Sequence, residues 1–141
     1  MLKEEKIIEF VDSLIDENRN IPVIVEGKRD ELALRKLGLK GKVIIFNSGS
    51  SLIEFCEKLE RNYRKVILFL DWDEKGNELT NSIEKILSSE GVHCDLNYRK
   101  ILYSLVGKSI RSVEEIYPLY LLSIEKVQSN FSKNFSKRTK R

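Results

Sequence analysis

The stretch VILFLDWDEKG, residues 66–76, joins five apolar residues directly to a run of charged ones. A short apolar run without polar alternation predicts a strand that is buried on both faces, as in a parallel sheet. VIV at 23–25 and VIIF at 43–46 have the same character, and a short fourth strand is predicted near residues 92–96. These runs predict a four-stranded parallel sheet with an apolar layer on each side.

Helical periodicity separates the strands. Apolar residues recur at helical spacing in the segments 3–18, 30–37, 52–59, 78–89, 97–106 and 112–128. Asp30 is expected to cap the second helix, and Gly38 to end it. Ser112 and Glu115 resemble a capping box for the last helix, which Pro118 either kinks or delays. The βαβαβαβ pattern predicts an α/β three-layer sandwich.

The domain organisation follows from the same pattern. Residues 1–20 are predicted to form an N-terminal helix packed on the domain, and 21–128 the α/β domain with its C-terminal helices. Residues 129–141, SNFSKNFSKRTKR, are predicted to be a basic flexible tail with five basic side chains and no acid. The whole chain has 25 basic and 22 acidic side chains, so the other 128 residues sum to 20 minus 22, or −2. The tail either binds nucleic-acid phosphates or is simply solvated.

The cysteine content and the hydropathy of the sequence indicate the cellular compartment. Cys56 and Cys94 are far apart, with no CxxC pair or Cys/His cluster, so two buried free thiols are expected and a zinc site is not. No signal peptide and no apolar run of membrane-spanning length is recognisable. The expected location is the cytoplasm, away from any membrane.

Three carboxylates follow the predicted strands. Glu26 ends the first strand, and Asp71 and Asp73 follow the third. Ligands of parallel sheets bind at the carboxyl ends of the strands, and in a 2-1-3-4 strand order all three acids would meet at one edge. Two residues apart in an extended chain, the aspartates would point the same way and Trp72 to the opposite face.

A divalent cation would relieve the repulsion among these acids. Magnesium prefers carboxylate oxygens, water and substrate phosphates, so one or two Mg²⁺ ions bound by Glu26, Asp71 and Asp73 are expected. Glu26, from a different strand, is the better candidate for general acid/base work. Gly27 would let a substrate approach closely, and Lys28, Arg29 and Lys75 would meet phosphate. Singly, each acid could instead be a helix cap, as Asp73 could be for the helix that follows it.

The segments VIVEGKRD at 23–30 and VILFLDWDEKG at 66–76 resemble the Toprim family, which serves topoisomerases, primases, recombination mediators and a ribosomal-RNA maturation nuclease. The chain is similar in particular to the small stand-alone Toprim proteins of archaea and bacteria. The resemblance implies a magnesium-dependent site that makes or breaks phosphodiester bonds. It places Glu26 as general acid/base, Asp71 and Asp73 as magnesium ligands and Gly76 as the glycine that follows the DxD pair.

The resemblance leaves the activity open between two classes. No accompanying domain for a nucleophilic tyrosine or for primase zinc binding is recognised, so a nuclease acting on RNA or DNA is expected. The alternative is a non-catalytic nucleic-acid-binding module or a subunit of a DNA or RNA processing complex. A small-molecule phosphotransferase would have its DxD after the first strand, and it ranks last. A homodimer or a protein partner is consistent with the small size of the chain.

Overall fold

A computed structural model of the chain describes residues 1–46 and 49–139, with side chains up to residue 135. Its strands are β1 (Val23–Val25), β2 (Val43–Ile45), β3 (Lys65–Leu68) and β4 (His93–Asp95). Its α-helices are α1 (Lys3–Asn18), α2 (Lys28–Leu37), α3 (Leu52–Asn62), α4 (Glu74–Ser89), α5 (Asn97–Val106) and α6 (Ile116–Thr139). A 3₁₀ turn (Val113–Glu115) precedes α6.

The four strands form one parallel sheet in the order β2-β1-β3-β4. Val23 pairs with Val43 on one side and with Ile67 on the other, so β1 and β3 are the central strands. The predicted strand order is therefore confirmed. It brings the residues that follow β1 and β3 side by side.

Helices cover both faces of this sheet. Successive residues of β3 face opposite ways: Ile67 belongs to a core with α1, α2, α5 and α6, whereas Val66 and Leu68 belong to a core with α3 and α4. In β1, Val23 and Ile24 divide between the same two cores. Both faces are dry, which explains the continuous apolar runs and confirms the three-layer α/β prediction. The edge strand β2 is only half-buried, contrary to the expectation of a fully buried strand.

Two helices begin earlier than their apolar periodicity predicts. Helix α2 starts at Lys28 with Gly27 as N-cap, so Asp30 lies within the first turn, where its carboxylate accepts the Gly27 N–H at 3.2 Å. Helix α4 starts at Glu74 rather than near residue 78. First turns contain charged residues that contact solvent, so the apolar pattern begins one turn late. The predicted end of α2 is confirmed, since Gly38 adopts a left-handed conformation with φ of 116°.

The last helix begins and ends later than expected. The predicted capping box is present at Ser112 and Glu115, but it opens the 3₁₀ turn, and α6 starts at Ile116 with Pro118 in its first turn. The helix then continues to Thr139, beyond the predicted end near residue 128, so the segment 129–139 is helical. Proline is tolerated in a first turn because the N–H it removes has no partner there. Phe131 and Phe135 stack at 6.5 Å between ring centroids, one helical turn apart, which favours the extension.

The structure bears on the predictions about the cysteines and about membrane-spanning segments. Both cysteines are free thiols, Cys56 buried and Cys94 half-buried. Among the described residues, no helix combines the length and the apolar character needed to cross a bilayer. The cytoplasmic location stays a prediction from the sequence.

Candidate metal and phosphate site

The carboxyl edge of the central strands brings Glu26 against Asp71. Glu26 directly follows β1, and one of its carboxylate oxygens accepts the backbone N–H of Asp71 at 3.2 Å. The contact joins residues 45 positions apart and exists because β1 and β3 are neighbours in the sheet. The first and third strands thus converge as their sequence predicts.

The carboxylate of Asp71 is held by a segment from the far end of the domain. Its Oδ1 accepts the backbone N–H of Val113, in the 3₁₀ turn, at 2.8 Å. Val113 is fully buried, so this hydrogen bond is shielded and positions the Asp71 side chain. The partner lies 42 residues away, and nothing in the local sequence around Asp71 indicates it.

Asp73 caps the helix that follows it, as the sequence allowed. Its Oδ1 accepts the N–H of Gly76 at 2.7 Å, which makes Asp73 the N-cap of α4. Strand β3 ends at Leu68, so the DxD pair lies in a bend and not in an extended strand. Strand alternation therefore does not apply to the two aspartates, and the expectation that both point the same way stays a prediction. Trp72 packs against the core formed with α1, α2, α5 and α6 and donates to the Ile110 carbonyl at 3.0 Å.

Gly76 is required by close packing at the start of α4. A Cβ at this position would lie 1.9 Å from the carbonyl oxygen of Asp71 and 2.9 Å from Oε1 of Glu26. Both distances are shorter than any real carbon contact. The glycine after the DxD pair therefore lets α4 start directly against the two acids.

These acids border a cleft of about 440 Å³. Glu26 and Asp71 line it, together with the residues predicted to meet phosphate, Gly27, Lys28, Arg29 and Lys75. Asp73, which is exposed, and Gly76 are not among its lining residues. Lys28, Arg29 and Lys75 are all exposed, and Lys28 is paired with Glu31 at 2.6 Å.

Burial and mutual repulsion raise the pKa values of Glu26 and Asp71. Burial, then the negative charges of Asp71 and Asp73, raises the pKa of Glu26. Burial raises the pKa of Asp71 as well, and Asp73 adds to it, although the Val113 N–H opposes the shift. The acids are close enough to disfavour one another's charge, which is the conflict that a cation would relieve.

The sequence of this chain is similar to that of a known protein family. The sequence model of the Toprim-like family matches residues 23–102. The chain belongs to the Toprim-like family. A UPF0292 protein of Thermoplasma volcanium is 38% identical over 111 residues, 77% of this chain and 90% of its own length. A UPF0292 protein of Pyrococcus abyssi is 35% identical over 78% of this chain and 83% of its own length.

A solved structure agrees with this assignment. A putative protein from Aquifex aeolicus has 33% sequence identity and a TM-score of 0.66, over 76% of this chain and 94% of its own. The predicted resemblance to small stand-alone Toprim proteins is thus confirmed. Membership indicates a metal-binding function related to nucleic acids, and Toprim domains typically bind Mg²⁺.

The Toprim-like site fits magnesium by its donor chemistry and less by its arrangement. Its donors are carboxylate oxygens, which Mg²⁺ prefers. Within the described side chains, however, no three His, Cys, Asp or Glu residues are placed to hold a metal ion together. Mg²⁺ usually binds through one or two carboxylates and keeps several waters, so a closed cage is not required. Glu26 and Asp71 on the cleft wall satisfy that lesser requirement.

Sequence reasoning missed two acidic residues of the Toprim-like cleft. Asp30, expected only as a cap, is 8% exposed and lines the cleft, and burial, then the charge of Asp71, raises its pKa to about 6. Glu114 reaches the same cleft from the 3₁₀ turn. Asp30 lies four residues after Glu26, in the helix that follows β1, so its closeness to the cleft could have been predicted from the sequence. The closeness of Glu114 could not, because only the tertiary fold brings it to the cleft.

Arg99 is the third missed residue. From α5 its guanidinium donates to the carbonyl oxygens of Leu70 at 2.9 Å and Asp71 at 2.6 Å, and to Oδ1 of Asn77. It thereby ties the end of β3 to the start of α4. Burial lowers the pKa of Arg99, and the charges of Glu26, Asp71 and Asp73 oppose that shift. Arg99 is thus a half-buried positive charge close enough to the three acids to interact with them.

Proposed function

We propose that this Toprim-like protein is a magnesium-dependent nuclease acting on nucleic-acid phosphodiester bonds. Asp71 and Asp73 would hold the magnesium, and Glu26 would serve as general acid/base. The observation that carries the proposal is the contact of Glu26 with the Asp71 backbone, at adjacent strand ends and beside a cleft bordered by cations. Family membership supports the metal and the nucleic acid.

Each acid has a distinct part in this proposal. Bound Mg²⁺ would polarise a phosphoryl oxygen and offset the charge that develops during displacement. Asp71 is preset by the Val113 N–H, and Asp73 has one carboxylate oxygen left beyond its capping bond. The raised pKa of Glu26 keeps a proton on this carboxyl at higher pH than usual, which suits proton transfer to or from an oxygen.

The basic side chains of the cleft would bind the phosphates of the nucleic acid. Arg29 and Lys75 are exposed at its wall and can pair with phosphate oxygens, and Lys28 can do so in competition with Glu31. Gly27, the N-cap of α2, leaves space at the cleft wall for the backbone of a substrate, whereas the space beside Gly76 is filled by the Asp71 carbonyl and the Glu26 carboxylate. A helix start with free N–H groups also favours an anion.

A non-catalytic nucleic-acid-binding module is the second candidate. The carboxylates of Asp71 and Asp73 already accept backbone hydrogen bonds, so both have a structural task without any metal. In that case the acids would stabilise the fold while the surrounding cations bind phosphate.

One experiment separates the two candidates. Labelled RNA and DNA are incubated with the protein, with Mg²⁺ or with EDTA, alongside Glu26→Gln. The nuclease proposal expects cleavage that requires Mg²⁺ and is lost in Glu26→Gln. Salt-sensitive binding that Glu26→Gln leaves unchanged, without cleavage of either polymer, would contradict the nuclease and favour the module.

A further inference from the structure

A second cavity adjoins the acidic cleft. It has a volume of about 300 Å³ and lies between α2 and the start of α6. Arg29 and Glu114 line both cavities, so the two share a boundary. Anything that extends out of the acidic cleft past Arg29 enters this second cavity, which we call the α2/α6 groove.

One wall of the α2/α6 groove is a face of α2 with a cation at each end. Arg29, Leu32 and Lys36 lie on this face at helical spacing, so the two cations are about 10 Å apart along the axis. Both cations are exposed, and in the described part of the chain neither forms an ion pair. They are available to an anionic ligand.

The opposite wall is aromatic. Tyr117 is half-buried at the start of α6, and Nζ of Lys36 lies 5.7 Å from the centre of its ring. Leu32, 49% exposed, adds an apolar surface within the same groove. Cations along a groove with an aromatic face beside them are the combination that binds single-stranded nucleic acid, the cations taking phosphates and the ring a base.

The same features disfavour a duplex. The groove has a volume of about 300 Å³, at the lower end for small-molecule pockets, so it is too small to enclose a duplex, and Tyr117 on its wall is half-buried. Glu114 repels phosphate at the boundary between the cavities, so the favourable charges lie on the α2 side alone.

We propose that the α2/α6 groove binds a single-stranded segment of nucleic acid that continues from the acidic cleft, with phosphates at Arg29 and Lys36 and a base against Tyr117. This inference rests on the proposed function and narrows its substrate to single-stranded RNA or DNA. It makes Lys36 and Tyr117 binding residues, which no sequence motif indicates.

The test is a binding measurement in EDTA, which separates the groove from any metal-dependent step. Fluorescence anisotropy compares a short labelled single strand with the matching duplex, for wild type, Arg29→Gln/Lys36→Gln and Tyr117→Leu. Lys85→Gln, an exposed lysine on α4, is the matched charge control. Each neutralised phosphate contact should lower the slope of log affinity against log salt by about 0.7 and the affinity at about 0.1 M salt by roughly fivefold.

The expected results are specific. Wild type prefers the single strand, and the double variant binds it about 25-fold more weakly with the slope reduced by about 1.4. Tyr117→Leu weakens binding without changing the slope, and Lys85→Gln matches wild type. Urea unfolding of every variant shows whether a loss of binding reflects a loss of fold.

Two results would contradict the proposal that the α2/α6 groove binds a single strand. One is a folded double variant that binds like Lys85→Gln, and the other is a wild type that binds duplex as tightly as single strand. These results are distinguishable from failure of the nuclease proposal. If the protein cleaves nucleic acid but the double variant binds normally, the nuclease proposal stands and the groove proposal fails. If binding depends on the groove residues but no cleavage occurs, the groove proposal stands and the nuclease proposal fails.

Discussion

Replacing the buried acid of the cleft should stabilise the protein at neutral pH. Asp30 is 8% exposed, and its pKa rises from 3.8 to about 6 on folding. Because folding raises this pKa, ionisation of Asp30 opposes folding, and stability is lost as pH rises from about 4 through 6. A shift of about two pKa units costs about 3 kcal/mol at pH well above 6 and about 1 kcal/mol near pH 4.5.

Asp30→Asn removes this cost and keeps an oxygen that can accept the Gly27 N–H. Urea unfolding in EDTA should show a gain of about 3 kcal/mol in the free energy of unfolding near pH 7.5, and about 1 kcal/mol near pH 4.5. Asp12→Asn, an exposed change on α1, should alter stability by less than about 0.5 kcal/mol at both pH values. An equal effect of Asp30→Asn at the two pH values, or a loss at pH 7.5, would refute the electrostatic reasoning.

Three further substitutions test the packing around the site, each by urea unfolding. Gly76→Ala should cost about 2 kcal/mol or more, because its Cβ would lie 1.9 Å from the Asp71 carbonyl oxygen; wild-type stability would contradict that contact. Arg99→Gln should cost about 2 kcal/mol, since it leaves half-buried carbonyls of the β3 end without their donor; a neutral effect would mean that water replaces the guanidinium. Trp72→Phe should cost about 1 kcal/mol through the lost hydrogen bond to Ile110, and no change would show that this bond adds nothing net.

Much of the architecture could be predicted because it depends on local patterns. The runs 23–25 and 66–70 are apolar at every position, which fits only a strand covered on both sides, and both prove to be central. The acids that follow them had to meet once the strands were neighbours. The Glu26–Asp71 contact is therefore a consequence of strand order, which the sequence indicates.

The remaining features depend on contacts between distant segments. Arg99 and Val113 reach the Asp71 region from 28 and 42 residues away, and no spacing rule connects them to a DxD pair. The direction of the Asp73 side chain could not be derived from strand alternation for a local reason, because β3 ends before the DxD pair. The helical extension of α6 was missed because its Ser, Asn and Lys composition resembles a linker.

The central claim is that the acids at the carboxyl edge hold magnesium, and thermal unfolding with increasing Mg²⁺ tests it most directly. A bound ion stabilises the folded state by about 2.7 kcal/mol at a hundred times its dissociation constant, so wild type should melt at progressively higher temperature, beyond the effect of NaCl at matched ionic strength. Asp71→Asn should lose this increment, whatever its stability without metal. An absent magnesium shift in wild type, or an equal shift in Asp71→Asn, would contradict the account.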